Sequence, residues 1–337
     1  MKKTGILLII FAVLGTGSAW YLFGNKKAKK STYQKTAEMD FAVEADKVYK
    51  VFINDRKGNK SLLTRNGDHW LIDEKYKVRP SAISMLLNAM SNLQVKYRPP
   101  KTAYENIIND FATVGIEVEA YNKNGDLIKN YYVGNGDHDG SGTYMIMADS
   151  DEPFAMSIPG FKGSLRPRYF LVGEDWRDRA IFSEKAEDIK AVSVEYPKQR
   201  NKSFKLEREG DNFNIAPFYE GTPLIKREFV KGKAEKFLSN FNSLVAEGFQ
   251  NDNEKRDSIS ALVPFCHIIL TKNDGEVKSV RFFPFTRIDK YGNPIPEPAG
   301  YPVFRMNADC SWGDFMLVQQ NVFKEVFWSY ESFFETS

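Results

Sequence analysis

Arg65-Asn-Gly-Asp-His-Trp-Leu-Ile72 reads as two strands joined by a tight turn, with Trp70 and Ile72 directed to one face. The stretch returns as Arg208-Glu-Gly-Asp-Asn-Phe-Asn-Ile215, with Arg, Gly, Asp, an aromatic and Ile at the same spacing. Working outward, the likeness persists. Upstream, Val48 to Ile53 and Ser61 to Arg65 read as strands and match Ile189 to Val194 and Phe204 to Arg208. Downstream the period changes to that of a helix: Ile83, Leu86, Leu87, Met90 and Leu93 follow Pro80 at amphipathic spacing. Ala234, Phe237, Leu238, Phe241 and Leu244 repeat that face at an offset of 151.

A second hairpin follows in each half. Ile116 to Tyr121 and Leu127 to Val133 flank Asn124-Gly125, while Cys266 to Thr271 and Val277 to Phe283 flank Asp274-Gly275, at an offset of 150. Between helix and hairpin in the first half, Thr102 to Ala112 reads as a short helix capped by Thr102, with Ile107, Ile108 and Phe111 inward. Thr143 to Ala148 supplies a further strand. The C-terminal run Val322, Phe323, Val326, Phe327, Tyr330, Phe333 and Phe334 has helical spacing and is expected to pack on the second half. The fold class that results is α+β: two tandem copies of an antiparallel sheet covered by a helix. The division expected is an anchor at 1–24, a tether at 25–40, and repeat units at 41–183 and 184–337.

Composition bounds the rest. Of 337 residues, 42% are hydrophobic, 14% aromatic and 27% charged, which describes a folded globular chain. The formal charge is +3, but Lys2, Lys3, Lys26, Lys27, Lys29 and Lys30 flank one apolar segment. Without them 41 basic side chains face 44 acidic ones, so no basic excess argues for nucleic acid as a partner. Residues 4–24 carry no charge and would span about 30 Å as a helix, the thickness of a bilayer's hydrocarbon core. A transmembrane anchor with Trp20 and Tyr21 at one interface is favoured over a signal peptide cleaved near Gly17-Ser18-Ala19. Four lysines after the span lean towards a cytoplasmic body; a short tail before a long domain favours export, which is preferred. Cys266 and Cys310 are read as buried free thiols, with one bridge as the alternative after export.

Several segments resemble a known family. They are the Arg-x-Gly-Asp-x-Trp-x-Ile pair with its Leu-Leu helix, Asn106 to Glu119, Gly142-Thr-Tyr-Met145, Ile158-Pro-Gly-Phe161, Pro167-Arg-Tyr169 and Trp176-Arg-Asp-Arg179. They are similar to the membrane-anchored bacterial proteins of domain-of-unknown-function family 4340. The resemblance covers most of residues 41–183 and extends more faintly into the second unit. It implies an N-terminal membrane anchor, a repeated α+β domain and, for some relatives, association with ABC-type transporter components of the envelope. It brings no catalytic motif.

The chemically loaded residues are few. Arg166-Pro-Arg-Tyr-Phe170 leads to Glu174-Asp-Trp-Arg-Asp-Arg179, where Arg166, Arg168, Arg177 and Arg179 could grip carboxylates or phosphates and Tyr169 and Trp176 could stack on a sugar or base. The competing and favoured reading is an internal salt-bridged strap joining the units, with Arg177 and Arg179 pairing Asp175 and Asp178. Arg287 to Pro302, with Tyr291 and Tyr301, is a stiff Pro-rich loop that could be presented to a partner or folded over its own domain. Asn135-Gly-Asp-His-Asp-Gly140 imitates a calcium loop but has Asn first and Ile146 where the bidentate carboxylate belongs, so no metal is assigned. The glycines from Gly134 to Gly142 lack the Lys-Ser/Thr and helix of a phosphate loop. His69, His138 and His267 lie far apart, without a Gly-x-Ser-x-Gly elbow.

No cofactor is indicated. The preferred function is non-enzymatic: an extracytoplasmic binding or scaffolding domain, held by residues 4–24 in the bacterial inner membrane with its body in the periplasm. Its partner would be a protein of an envelope complex, with an ABC-type transporter suggested by the resemblance. The alternative is an extracytoplasmic hydrolase or glycan-binding enzyme using Arg166 to Arg179 with carboxylates from elsewhere.

Overall fold

The structure is a computed structural model describing residues 39–284 and 304–335. The expected span at 4–24 and the loop containing Tyr291 and Tyr301 lie outside the described residues. Among those described, no helix is long and apolar enough to cross a membrane. The chain divides into two compact units at Arg177/Asp178.

In the first unit the strands are β1 (Lys50–Asp55), β2 (Lys60–Asn66), β3 (His69–Ile72), β4 (Tyr76–Lys77), β5 (Gln94–Tyr97), β6 (Ile116–Tyr121), β7 (Leu127–Gly136), β8 (Thr143–Met147) and β9 (Phe154–Ser157). They form one antiparallel sheet in the order β4-β3-β2-β1-β6-β7-β8-β9-β5. Helix α1 (Pro80–Ser91) covers one face and α2 (Tyr104–Val114) lies on the other, against β7. Alternation decides which residues meet α1: Val51, Ile53, Leu63, Trp70, Ile72, Val118 and Ala120 are buried in one cluster with Ile83, Leu86 and Met90.

The second unit contains β10 (Ala180–Phe182), β11 (Ile189–Glu195), β12 (Phe204–Glu209), β13 (Asn212–Pro217), α3 (Lys231–Ser239), β14 (Leu244–Val245), β15 (Gly248–Phe249) and α4 (Arg256–Ser260). Strands β16 (Cys266–Lys272), β17 (Val277–Pro284), β18 (Arg305–Cys310), β19 (Phe315–Gln319) and the short helix α5 (Gln320–Phe323) follow. Its main sheet runs β13-β12-β11-β16-β17-β18-β19-β15. Apart from β4, this is the order of the first sheet.

The registers agree as well. Val51 stands between Leu63 and Ala120 as Val192 stands between Leu206 and Leu270. Arg65 opposes Trp70 as Arg208 opposes Phe213. The slips are local: β7 carries a bulge opposite Ala120 and Tyr121, so Tyr131 corresponds to Val280 at an offset of 149 instead of 150, and β11 has its own irregularity between Ile189 and Ala191.

The repeated motif has a physical basis. Asn66 pairs with His69 and Glu209 with Asn212, leaving two-residue loops whose first position, Gly67 or Gly210, has φ near +60°. That is the type II′ arrangement that suits the twist of a hairpin and excludes a side chain. Arg65 stacks 5.3 Å over Trp70 and donates to the Ala45 carbonyl at 2.8 Å. Arg208 lies 5.2 Å over Phe213 and donates to Ala186 at 2.8 Å. Each arginine ties its hairpin to the 3-10 turn that precedes the first strand, Ala45–Lys47 or Ala186–Asp188.

Several expectations are corrected. Pro100 holds the chain extended before a 3-10 turn, Lys101–Ala103, so α2 starts at Tyr104 without a Thr102 cap, and Ile108 is exposed. Helix α3 stops at Ser239; Phe241 lies on a 3-10 turn and Leu244 on β14, although both are buried as expected. The C-terminal aromatic run is not one helix but α5 followed by 3-10 turns Lys324–Val326 and Tyr330–Phe333, packed in the second core.

Candidate functional site

The run from Arg166 to Trp176 closes the first unit. Trp176 is fully buried, donating its indole N–H to the Leu171 carbonyl at 2.7 Å and the Ser61 hydroxyl at 3.1 Å. Tyr169 is equally enclosed, edge-on to Tyr131, and burial pushes its phenol up. Neither ring has a face for a ligand, which removes the stacking role considered for them. Arg166 donates to the carbonyls of Val114, Val133 and Gly134, and burial lowers its pKa. Arg168 lies 4.5 Å over Phe161. Arg177 pairs with Glu174 at 3.1 Å and stacks 3.8 Å over Tyr76. In the second unit Arg179 donates to the Glu247 carbonyl.

The strap is therefore a closure within a unit, and both units have one. Arg79 N–H donates to the Trp176 carbonyl at 2.8 Å beside a Val78–Arg177 bridge. Val230 N–H donates to the Phe333 carbonyl at 2.9 Å beside a Phe229–Phe334 bridge. In each, the segment after the last long strand returns to the residue before the covering helix.

The imitation of a calcium loop has a cation of its own. Lys96 Nζ lies 2.9 Å from buried Asp137 Oδ2, 3.1 Å from both Asp139 oxygens, and against the Ser141 hydroxyl. The Ser141 hydroxyl and N–H, then Lys96, hold the Asp139 carboxyl well below its usual range, and the Asp137 contact raises Lys96. Gly142 lets the loop close: a Cβ there would stand 2.7 Å from Asp137 Oδ2. Beside the loop, the Tyr97 hydroxyl meets His138 Nδ1 at 3.1 Å and the Tyr144 hydroxyl at 3.4 Å.

Sequence reasoning missed one convergence. On the outer face of the second sheet, Ser279 Oγ lies 2.7 Å from His267 Nε2, and His267 Nδ1 lies 3.5 Å from Glu195 Oε2. Tyr219 donates to the other Glu195 oxygen. Glu195 and His267 are cross-strand neighbours, and Ser279 lies diagonally across the next pair. Only the β11–β16–β17 register brings them together. A nucleophile, a base and an orienting acid in this order is the arrangement that activates a serine. However, Ser279 N–H donates to Ser311 Oγ at 3.1 Å and so is not free to serve an oxyanion.

A cavity of about 530 Å³ lies between the β2–β3 turn and α1, lined by Asp68, His69, Trp70, Lys77, Ile83 and Leu87 among others. His69 Nδ1 meets Asp68 at 2.9 Å at its rim.

With this geometry in view, residues 70–259 match the domain of unknown function DUF4340, more than half of the chain. The protein is a member of the DUF4340 family. The match begins in β3 of the first unit and ends in α4 of the second, so it takes in parts of both copies. No curated protein and no solved structure matches the chain.

Proposed function

We propose that this protein is a membrane-anchored extracytoplasmic binding or scaffolding module, an accessory of an ABC-type envelope transporter complex. One observation carries the non-enzymatic part. The arginine–aromatic run, the most reactive-looking stretch, is consumed in closing the first unit, with Tyr169 and Trp176 wholly buried. Each unit presents sheet and helix surface outward, which suits docking. The anchor at residues 4–24 rests on length and hydropathy. Purification of the full chain in mild detergent should return defined membrane-protein partners in fixed ratio, and a Gly/Ser replacement of residues 287–302 should weaken their retention. A chain that purifies alone from several detergents would refute the reading.

The second reading, a hydrolase, is favoured by the Ser279–His267–Glu195 row. Ser279 Oγ would attack an ester or amide carbonyl as His267 Nε2 takes its proton; the bond to the leaving alcohol or amine would break as that group takes the proton from His267, and water, deprotonated by His267, would then hydrolyse the acyl-serine ester. It ranks second because the corresponding first-unit positions, Asn54, Glu117 and Asn130, include no nucleophile, and Asn54 simply donates to Glu117 at 3.3 Å. Covalent labelling of Ser279 by a fluorophosphonate, lost in Ser279→Ala and His267→Ala, would raise it. Absence of labelling removes it.

A further inference from the structure

The two sheets share an order but not an edge. In the first, the outer side of β3 is sealed: β4 pairs with it, and Val78 N–H donates to the Trp70 carbonyl at 2.7 Å. In the second, no strand among the described residues takes the place of β4. The chain leaves β13 at Pro217 and runs through a loop longer by eight residues to α3, counting from the matched motif and helix offsets. Strand β13 ends the sheet.

The ladder shows which groups this leaves. Phe218 N–H donates to Ser203. Backbone direction alternates along a strand, so Ala216, Asn214 and Asn212 also face β12, while Phe213, Ile215 and Pro217 face away. Among the described residues, the N–H and C=O of Phe213 and Ile215 have no backbone partner on that side, nor has the Pro217 carbonyl. Pro217, without an N–H, ends the donor row. At six residues, β13 is the longest edge strand of either sheet; β4 and β15 have two and β5 four. An edge of this kind is a template for an incoming strand unless something covers it.

Charge narrows the occupant. Helix α3 packs beside β13 and opens with Lys231 and Lys233, with no acidic residue in its first turn. From 226 to 236 there are five basic side chains, Lys226, Arg227, Lys231, Lys233 and Lys236, against Glu228 and Glu235; with Glu331, which pairs with Arg227, two positive charges remain in excess. That positive charge adds to the positive end of the helix instead of offsetting it. We propose that the β13 edge, beside the lysine-rich start of α3, receives an extended strand with acidic side chains from a protein partner. This rests on the binding reading above and assigns that binding a surface.

The test uses the full chain in mild detergent and a dye-labelled ten-residue peptide of alternating threonine and glutamate. In the free chain the Phe213 and Ile215 amides should exchange with solvent much faster than those of Asn214 and Ala216, and the peptide should slow them. Methylating alternate peptide amides, or replacing glutamate with lysine, should lower affinity at least tenfold, as should Lys226→Glu with Lys231→Glu. Ile215→Pro should do the same; the methylated peptide gives that answer without altering the protein if the variant does not fold. Phe213 and Ile215 amides already protected in the free chain would overturn the proposal, because the edge would then be taken by residues 285–303 or a second copy. So would equal binding of all the peptides, or none. If partners co-purify while the peptide ignores the edge, the binding reading stands and this one falls.

Discussion

Replacing Trp70 with alanine tests the assignment of strand faces. Trp70 is 6% exposed and packs under α1 in the same cluster as Ile83, Leu86 and Val78, with Arg65 stacked at 5.3 Å. An indole buries ~200 Å², and ~25 cal/mol per Å² gives about 5 kcal/mol. Measured Trp→Ala changes in cores cost ~3–5 kcal/mol. A domain has ~5–15 kcal/mol in all, so the variant loses a large part of the first unit's margin. With a urea slope of ~2 kcal/mol per molar, the unfolding midpoint should fall by about 2 M. His69 is the control. It sits next in sequence but on the opposite face, and among the described residues it pairs with an Asp68 whose side chain is 98% exposed. His69→Ala should change stability by no more than ~0.5 kcal/mol. Far-ultraviolet circular dichroism in urea compares the two; equal midpoints would refute the assignment of faces, and a lower midpoint for His69→Ala would mean that they are assigned backwards. Phe213→Ala should cost less than Trp70→Ala, because Phe213 is only partly buried.

Three further outcomes follow from the structure. Cys266 and Cys310 are buried, and burial raises both thiols, so iodoacetamide at pH 8 should leave them unmodified in the folded chain and alkylate both in guanidinium, as mass spectrometry would show. Asp139 has a depressed carboxyl, so its contribution is present above the unfolded carboxylate value of ~3.9 and is lost as pH falls through the folded value. Asp139→Asn should therefore lower the melting midpoint at pH 7, with the gap to the native chain closing below pH ~4. Gly142→Ala should destabilise the first unit and loosen the loop, since its Cβ would displace the Asp137 carboxylate from Lys96; faster amide exchange at Ser141 and Gly142 would report it.

What was legible in the sequence was what short range determines. Gly67, Gly210, Gly125 and Gly275 mark turns with positive φ, and each lies where its hairpin was expected. The shared order of the sheets was legible because repeated motifs carry their own alignment. Strands β5, β9, β15 and β19 were not, because a short segment becomes a strand only when a distant partner pairs with it. Helix ends were misread for a related reason: Phe241 and Leu244 keep helical spacing while the chain leaves the helix, and burial alone preserves the pattern. Among the candidate residues, the buried pair Tyr169 and Trp176 is the most instructive. Trp, Tyr and Arg have the same chemistry in a ligand site and in a core. What separates the two is Ser61, 115 residues away, beneath the Trp176 indole.

The differences between the copies are more informative than their likeness. Shared features, such as the stacked arginine, the II′ glycine, the helix face and the closing strap, are requirements of one fold, and each has a structural account. Features that appear once are released from that requirement. The first unit has β4 on its edge and an eleven-residue α2 on its outer face, where the second, among the described residues, has β13 without an outer partner strand and a five-residue α4. The first of these differences leaves β13 backbone groups without the partner that β4 gives β3, and neither β4 nor a longer α4 is needed to close the second core, which α3 and the C-terminal strap already fill. An unsealed six-residue edge carries a standing risk of aggregation. Its retention beside a lysine-rich helix start, within the segment that matches the family, is more readily explained by use than by neglect.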